Sequence, residues 1–301
     1  MYKDYKKKAK SFKAKKSLGQ NFLVDENVIH KIIEEANLSK DEVVLEIGPG
    51  VGFVTEQLVK EAKEVIAVEI DEDAIAELSK LSCNTNDLDL QPLTQGGNNQ
   101  SGIAAIKIIK NDILKTDISK LVDKPVKIVA NIPYYITSSI LVHLLGEVDD
   151  FENKNRKSIK EIILMVQYEV AKRIVADEKS PNKEYGALSI LCNYWAKTSF
   201  IQKVDAQSFY PAPKVDSALL KLEIRESPLV NIENPTLFRK LIKASFGTRR
   251  KNIKNSFLNA GFSKEIVEKV LKHFDIDVNR RGETLSIQEL ADITNFMFNL
   301  C

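Results

Sequence analysis

The feature that most constrains the fold is a short apolar run that ends in a glycine-rich turn. Val43–Ile47 has the sequence Val-Val-Leu-Glu-Ile and is followed by Gly48-Pro49-Gly50-Val51-Gly52. A short apolar run that ends at a turn is typical of a strand buried on both faces of a parallel sheet. Helical periodicity over 53–61, an apolar run at 65–69 and a second helical stretch at 72–81 come next. This order predicts a doubly wound α/β sheet that binds its ligand at the carboxyl ends of the strands.

Further apolar runs extend the predicted sheet to seven strands. A helix from about Glu26 to Ala36, capped by Asp25, precedes the first strand, and only helical periodicity follows Asn234. The later strands are predicted at 106–109, 126–130, 162–166, 200–204 and 219–224, the last two as an antiparallel closing pair. We therefore predict a Rossmann-like, mostly parallel seven-stranded sheet with a smaller all-helical C-terminal domain. The predicted boundaries are a flexible basic tail at 1–16, the α/β domain at 17–228 and the helical domain at 229–301.

Residues 83–105 interrupt the alternation of strands and helices. They are rich in Asn, Gln, Gly, Thr and Asp, which is typical of a flexible insertion. The insertion follows the second helix of the sheet, and that helix returns the chain to the amino edge, away from the expected ligand site. We therefore predict that the insertion is not needed for chemistry.

Composition and charge narrow the class of protein. The chain has 301 residues, a formal net charge of +2 and three cysteines far apart in sequence, which indicates neither a disulfide framework nor a zinc site. A reducing cytoplasm is the expected location. No apolar run approaches the roughly 20 residues of a membrane helix, and the lysine-rich start lacks the apolar segment of a secretory signal.

Three cation clusters favour a nucleic-acid partner, because clustered cations bind phosphates. Eight lysines fall within the first 16 residues, for which a solvated tail is an equally good explanation. The other two clusters consist of Arg249, Arg250, Lys251 and Lys254, and of Arg280 and Arg281.

The glycine turn favours a nucleoside ligand without phosphates. Its spacing is G-x-G-x-G with Phe53 next, whereas a dinucleotide site needs G-x-G-x-x-G to pack a helix against a pyrophosphate. S-adenosylmethionine (SAM) fits this pattern, and an NAD oxidoreductase is disfavoured. Glu69 ends the second strand, where a carboxylate accepts hydrogen bonds from ribose hydroxyls, and Asp112 at the third can accept from an adenine amine. Capping of the next helix by Glu69 and a turn role for Asp112 stay open as alternatives.

Asn131-Ile132-Pro133-Tyr134 follows the fourth strand and resembles the N/D-[ILP]-P-[YF] motif of methyltransferases that act on ring-conjugated amines. The Asn131 oxygen and the Ile132 or Pro133 carbonyl can accept both protons of such an amine, while Tyr134 stacks on its ring. That geometry favours a lone pair aimed at a methyl donor, so rate comes from positioning more than from a strong base. A plain β-turn is the alternative.

Four further segments extend the resemblance over residues 16–295. They are Lys16–Leu23, similar to a G-Q-[NH]-F-L signature; Phe209–Ser217, similar to F-x-P-x-P-x-V-x-S; the basic segment Phe246–Lys254; and Arg281–Leu285, similar to R-x-E-x-L. On these motifs the chain resembles the ribosomal RNA adenine N6,N6-dimethyltransferases, most closely their bacterial small-subunit branch. The insertion at 83–105 is its main departure.

The resemblance implies a function and a set of site residues. It implies SAM-dependent dimethylation of two adjacent adenosines in the 3′-terminal hairpin of 16S rRNA, in the immature small subunit, by a monomer without a metal. Tyr134 and Phe209 would sandwich a flipped base, although a core position is the alternative for Phe209. The implied catalytic residues are Asn131, Pro133, Tyr134 and Phe209, the cofactor residues are Asn21, Leu23, Gly48, Gly50, Glu69, Ile70, Asp112, Ile113 and Asn131, and the RNA-binding residues are Arg249, Arg250, Lys251 and Lys254.

Two alternative functions are compatible with the same predicted fold. A 23S rRNA adenine N6-methyltransferase of the macrolide-resistance type shares the glycine turn and the Asn131–Tyr134 motif. A non-catalytic RNA-binding assembly factor is disfavoured by the intact Asn131 and Tyr134.

Overall fold

The computed structural model describes residues 4–82, 105–181, 184–247 and 251–300. The strands are β1 (Phe22–Leu23), β2 (Val43–Ile47), β3 (Glu64–Glu69), β4 (Ala105–Lys110), β5 (Val126–Asn131), β6 (Ile159–Gln167), β7 (Ala196–Val204), β8 (Phe209–Tyr210) and β9 (Ser217–Ile224). The helices are α1 (Tyr5–Ser11), α2 (Glu26–Ala36), α3 (Thr55–Glu61), α4 (Glu72–Ser82), α5 (Thr137–Leu145), α6 (Lys154–Lys157), α7 (Tyr168–Val175), α8 (Ala187–Trp195), α9 (Pro235–Gly247), α10 (Ile253–Asn259), α11 (Lys264–His273) and α12 (Ile287–Phe298).

The predicted mixed α/β sheet is confirmed. Within the described residues it has seven strands in the order β4-β3-β2-β5-β6-β9-β7. The pairs β2–β3, β2–β5, β3–β4 and β5–β6 are parallel, and β7 and β9, predicted as a closing pair, are neighbours. Their alignment brings the carboxyl ends of β2, β3, β4 and β5 to one edge, the edge at which the sequence predicts the site.

Apolar burial accounts for the central strands. Val44 and Leu45 of β2 and Val65 of β3 have no exposed surface, as expected for strands covered on both faces. Helix α2 begins and ends where the sequence predicts, and Asp25 caps it by accepting the Asn27 N–H at 3.0 Å. Helix α3 begins at Thr55, two residues later than predicted, because the glycine turn continues to that point.

The prediction of a flexible tail at 1–16 is wrong for the residues that the structure describes. Residues 5–11 form α1, in which Tyr5 is 4% exposed and Ala9 is fully buried. The Tyr5 hydroxyl accepts a hydrogen bond from Gln57 Nε2 at 2.8 Å, and its ring lies 4.7 Å from that of Phe53. Two buried side chains anchor this segment in spite of its many lysines, because burial of apolar surface outweighs a solvated lysine face.

The chain forms two compact units. The first comprises Met1–Ile140, Lys157–Tyr168 and Phe200–Leu222, and the second Leu141–Arg156, Glu169–Ser199 and Glu223–Cys301. The second unit is helical after β9, as predicted. It also takes in α8, most of α6 and α7, and parts of α5 and β7, which the boundary predicted at 228 had assigned to the first domain. In the part of the chain that the structure describes, no helix has the length and hydropathy of a membrane span. Residues 83–104 of the predicted insertion lie outside the described residues.

Candidate active site

A cavity of about 220 Å³ opens at the carboxyl edge of the sheet, within the first unit. Its walls come from the segment 18–23, from the glycine turn after β2 and from the ends of β3, β4 and β5. All the predicted cofactor residues line it: Asn21, Leu23, Gly48, Gly50, Glu69, Ile70, Asp112, Ile113 and Asn131. The fold therefore brings together side chains that are up to 110 positions apart in the sequence.

The glycines of the turn serve different purposes. Gly48 and Gly50 have φ of +66° and +57°, a left-handed conformation that favours glycine. A Cβ on Gly48 would meet only the Asn131 carbonyl oxygen, at 3.6 Å, so this glycine faces the cavity. A Cβ on Gly50 would lie 2.8 Å from the Phe22 ring, so Gly50 lets the segment 18–23 close over the turn.

Glu69 is fixed by three backbone donors. Its carboxylate accepts the N–H groups of Gly50 at 3.0 Å, Ile70 at 2.8 Å and Asp71 at 2.9 Å. The side chain is 6% exposed and lines the cavity, so it presents a preorganised acceptor to a ligand there. Ile70, next in sequence, is 50% exposed, which gives the wall an apolar face suited to a flat ring.

A second buried carboxyl, Glu46, lies in the same wall. Glu46 is 3% exposed and accepts a hydrogen bond from Thr55 Oγ1 at 2.6 Å. Burial raises the pKa of Glu46 to about 8, the Thr55 hydrogen bond opposes that rise, and the nearby charge of Glu69 adds to it. A cation bound nearby would favour the ionised form of Glu46.

Asp112 caps a short 3-10 turn and still offers an acceptor. Its Oδ1 accepts the Leu114 N–H at 3.0 Å, and among the described residues no hydrogen bond to Oδ2 is found. Capping and ligand contact are therefore compatible at this position, because a carboxylate has two oxygens.

The turn after β5 presents two acceptors to the cavity. Asn131 Nδ2 donates to the Asn21 carbonyl oxygen at 3.3 Å, which leaves Oδ1 without a hydrogen-bond partner among the described residues. The Pro133 carbonyl oxygen accepts the Ile136 N–H at 3.3 Å. Within the described chain the Ile132 carbonyl accepts none, so Ile132 is the better second acceptor of the two that the sequence left open.

Two adjacent tyrosines end this turn in different environments. Tyr134 is partly buried, its hydroxyl hydrogen-bonds to Ser217 Oγ, and burial raises its pKa above the ordinary value. Tyr135 is 67% exposed and lies against Gly19, whose φ of +62° and missing Cβ leave room for the ring. Tyr134 is thus fixed inside the cavity and Tyr135 stands at its mouth.

A polar clamp attaches the segment 18–23 to the loop after β3. Gln20 Nε2 donates to Asp71 Oδ2 at 2.6 Å, and the Lys15 N–H donates to Gln20 Oε1 at 2.8 Å. The Lys15 ammonium also pairs with Asp71, and with Asp73 at 2.6 Å. Asp71 is 2% exposed; burial alone would raise its pKa, but the hydrogen bonds from Lys15 and Gln20 outweigh burial and lower it.

Comparison with known proteins assigns the family. Residues 11–298 match the sequence profile of the ribosomal RNA adenine dimethylases. The chain belongs to the ribosomal RNA adenine dimethylase family. This membership confirms the resemblance and the methyltransferase fold that the sequence indicates.

Similar proteins agree with that assignment. Ribosomal RNA small subunit methyltransferase A from Clostridium botulinum (strain Langeland) is 40% identical over 292 residues, 96% of each chain. The protein of the same name from Bacillus pumilus is 40% identical over 296 residues, 95% of this chain and 92% of its own. Among solved structures, a dimethyladenosine transferase from Plasmodium falciparum has a TM-score of 0.71 at 26% identity and covers 93% of this chain and 98% of its own. The 23S rRNA methyltransferase ErmE has a TM-score of 0.62 at 27% identity, with 91% and 99% covered.

Phe209 lies away from the cavity of this rRNA adenine dimethylase. It is 2% exposed, belongs to the hydrophobic core and pairs with Leu23 between β8 and β1. Its predicted stacking on a base therefore stays a prediction.

The predicted RNA-binding cluster is only partly described. Lys251 is exposed, Lys254 pairs with Glu268 at 3.3 Å, and Arg249 and Arg250 lie outside the described residues. Among the described residues, no group of three or more His, Cys, Asp or Glu side chains could hold a metal ion.

Sequence reasoning missed three residues of the site: Glu46, Gln20 and Tyr135. A charged residue in an otherwise apolar strand was a usable signal for Glu46, because buried acids cluster at functional sites. Gln20 stood in a quoted motif, but its partner Asp71 is 51 positions away. Tyr135 follows the quoted tetrapeptide and carried no separate signal.

Proposed function

We propose that this chain dimethylates the N6 amine of two adjacent adenosines in the 3′-terminal hairpin of 16S rRNA, in the immature small subunit. The observation that carries the proposal is that two oxygens at the cavity, Asn131 Oδ1 and the Ile132 carbonyl, have no hydrogen-bond partner within the described part of the chain. The same cavity has two buried carboxyls in its wall. Acceptors at this position suit an exocyclic amine, which has two protons to donate.

The cavity residues fit SAM as the cofactor. Glu69 would hold the ribose hydroxyls, Asp112 Oδ2 the adenine amine, and Ile70 would pack on the adenine ring. Glu46, buried and with a raised pKa, would become ionised beside a cationic ligand. When bound, SAM supplies an electrophilic methyl group on a sulfonium.

The protein contributes orientation and electrostatic complementarity. Asn131 Oδ1 and the Ile132 carbonyl would accept the two N6 protons and favour a pyramidal nitrogen whose lone pair is available. Because N6 becomes positive as its new bond forms, two oxygen acceptors stabilise the transition state more than the ground state. Tyr134, fixed by Ser217, would stack on the base and hold it against the turn. An adenosine within a hairpin must be extruded from its stack to enter.

The names of relatives favour the small subunit over the large one. Proteins named small subunit methyltransferase A are 40% identical over about 95% of the chain, whereas the 23S enzyme ErmE is 27% identical. A purely non-catalytic assembly role is disfavoured, because Asn131 and Ile132 keep the two oxygen acceptors that methyl transfer to an amine would use.

The decisive experiment incubates the protein with methyl-labelled SAM and either small or large ribosomal subunits that lack the modification. We expect label in the small subunit and N6,N6-dimethyladenosine at two adjacent positions near the 3′ end of 16S rRNA, located by mass mapping. Asn131→Ala, with an unchanged melting temperature, serves as the control for site-dependent transfer. Label confined to 23S rRNA would overturn the choice of substrate, and no label in either would overturn the activity. We also propose that the enzyme is a monomer in the cytoplasm. Its molar mass, measured by light scattering during gel filtration, would test the oligomeric state, and cell fractionation would test the location.

A further inference from the structure

An exposed phenylalanine lies at the edge of the seven-stranded sheet. Phe200 is in the middle of β7, which ends the strand order of the described sheet, and the residue is 40% exposed. Its ring centre lies 6.1 Å from that of Tyr168, with an angle of 79° between the two ring planes. Because the rings are nearly perpendicular, Tyr168 covers at most one face of Phe200. A second flat ring can therefore pack on the exposed part of Phe200.

Tyr168 and Lys203 complete this surface, which we call the Phe200 platform. The Lys203 ammonium lies 5.1 Å from the centre of the Tyr168 ring, close enough for attraction between a cation and an aromatic face. Lys203 also pairs with Asp216 at 2.7 Å. That hydrogen bond raises the pKa of Lys203, and the nearby charge of Asp205 adds to the rise. Since two anions offset the one cation, the platform suits a neutral flat group better than a phosphate.

Two consecutive residues connect the platform to the candidate active site. The Tyr168 N–H donates to the Asp216 carbonyl oxygen at 3.0 Å, and the next residue, Ser217, hydrogen-bonds to the Tyr134 hydroxyl. Tyr168 also follows directly on β6, whose parallel partner β5 ends at Asn131. The platform therefore begins at the same edge of the sheet as the acceptors of the turn after β5, and all its residues belong to the first unit.

We propose that Phe200 stacks on the base of a nucleotide that flanks the target adenosine, with Tyr168 and Lys203 supporting its ring. This inference rests on the proposed function, in which the substrate is an RNA. An adenosine that enters the cavity leaves its stack, so its neighbour in the RNA loses a stacking partner. An aromatic ring beside the cavity replaces that partner, and it accepts any base because every base has a π-face. Phe200 thereby lowers the cost of extrusion without contributing a charge.

Substitutions of Phe200 separate base stacking from simple apolar contact. Phe200→Ala should raise the KM for unmethylated small subunits roughly 5- to 100-fold, as expected for loss of one base–aromatic stack. Phe200→Leu keeps an apolar side chain and should also raise this KM, whereas Phe200→Tyr should stay near wild type. The slope of log affinity against log salt should not change, because the ring carries no charge to a phosphate. The KM for SAM should also be that of the wild type.

The matched control is Phe298→Ala. It removes the same ring from a residue of similar exposure, 42%, at the end of α12. This variant should keep the wild-type KM for subunits.

An abasic nucleotide identifies the stacked base. Small subunits are reconstituted with 16S rRNA that lacks one base, at each position beside the target in turn. At one of these positions, loss of the base should weaken binding by the wild type about as much as Phe200→Ala does. The variant should lose no further affinity at that position, because the two changes remove the same contact.

The outcomes for the platform and for the proposed function are distinguishable. Wild-type KM values in Phe200→Ala and Phe200→Leu would overturn the inference and leave the proposed function standing. Losses that add at every abasic position would also overturn it, because the ring would then contact a protein or a distant part of the RNA. If Phe200→Ala does not fold, equal KM values in Phe200→Leu and Phe200→Tyr would overturn the inference. Absence of methyl transfer to small subunits by the wild type would instead overturn the proposed function.

Discussion

The clamp between Gln20 and Asp71 is expected to control affinity for SAM, and Asp71→Asn tests it. The segment 18–23 forms one wall of the cavity, and it is attached to the sheet edge through Asp71, which accepts from Gln20 Nε2 at 2.6 Å and from the Lys15 ammonium. An asparagine keeps the shape but replaces one acceptor oxygen with a donor. The amide NH₂ of the new asparagine would then face another donor, either Gln20 Nε2 or the Lys15 ammonium. One hydrogen bond is lost, and two donors are placed against each other.

The magnitude follows from the Gln20 contact alone. A hydrogen bond to a charged acceptor contributes about 1.5–3 kcal/mol. Solvent reaches the Lys15 side chain and screens its ion pair with Asp71, so that pair adds little. We expect SAM to bind tightly only when the segment 18–23 is attached to the sheet edge. Loss of the Gln20–Asp71 hydrogen bond therefore raises the Kd for SAM by at most roughly 10- to 150-fold.

The assay is calorimetric titration of SAM together with initial rates at saturating RNA substrate. We expect a higher Kd and KM for SAM, a kcat within about twofold of wild type and faster hydrogen exchange over 18–23. Asp73→Asn is the matched control and should have little effect. Its side chain is 66% exposed, and its one ion pair among the described residues is with Lys15. A folded Asp71→Asn variant with wild-type affinity for SAM would refute the reasoning.

Three further predictions concern other parts of the chain. The pKa of Glu46 is raised to about 8, so the folded protein should lose stability as pH rises from about 5 through 8. Glu46→Gln should flatten the plot of melting temperature against pH, and plots with the same slope for the variant and the wild type would contradict this. Tyr135 lines the cavity and is 67% exposed, so its ring would stack on a base of the incoming RNA; Tyr135→Ala should raise the KM for subunits roughly 5- to 100-fold, with the KM for SAM unchanged and Tyr135→Phe near wild type. Replacement of 83–104 by a short Gly-Ser linker should leave the rate within about twofold, because the chain re-enters the sheet at Ala105, the amino end of β4; a folded but inactive deletion variant would show otherwise.

The central sheet was predictable because strands that are buried on both faces appear in the sequence as short apolar runs. Val43–Ile47 is apolar except for Glu46, and the turn after it must be glycine-rich to reach φ values near +60°. Once the order of strands and helices is known, the ends of parallel strands are expected to meet at one edge, and Glu69 and Asp112 both line the cavity at that edge.

The remaining features depend on contacts between residues distant in sequence. Helix α1 is fixed by Tyr5, whose partner Gln57 is 52 positions away, and a lysine-rich pattern conceals such an anchor. Phe209 was assigned a stacking role from its motif, yet its exposure depends on how β8 packs on β1. Periodicity describes one element at a time, so it cannot show which side chains another element covers.

The most direct test of the account is a structure of the protein with a SAM analogue and an RNA hairpin that carries the target adenosine. We expect the extruded adenine to lie against Tyr134, with its N6 within hydrogen-bond distance of Asn131 Oδ1 and the Ile132 carbonyl oxygen. An adenine bound outside the cavity, or an N6 that contacts neither oxygen, would contradict it.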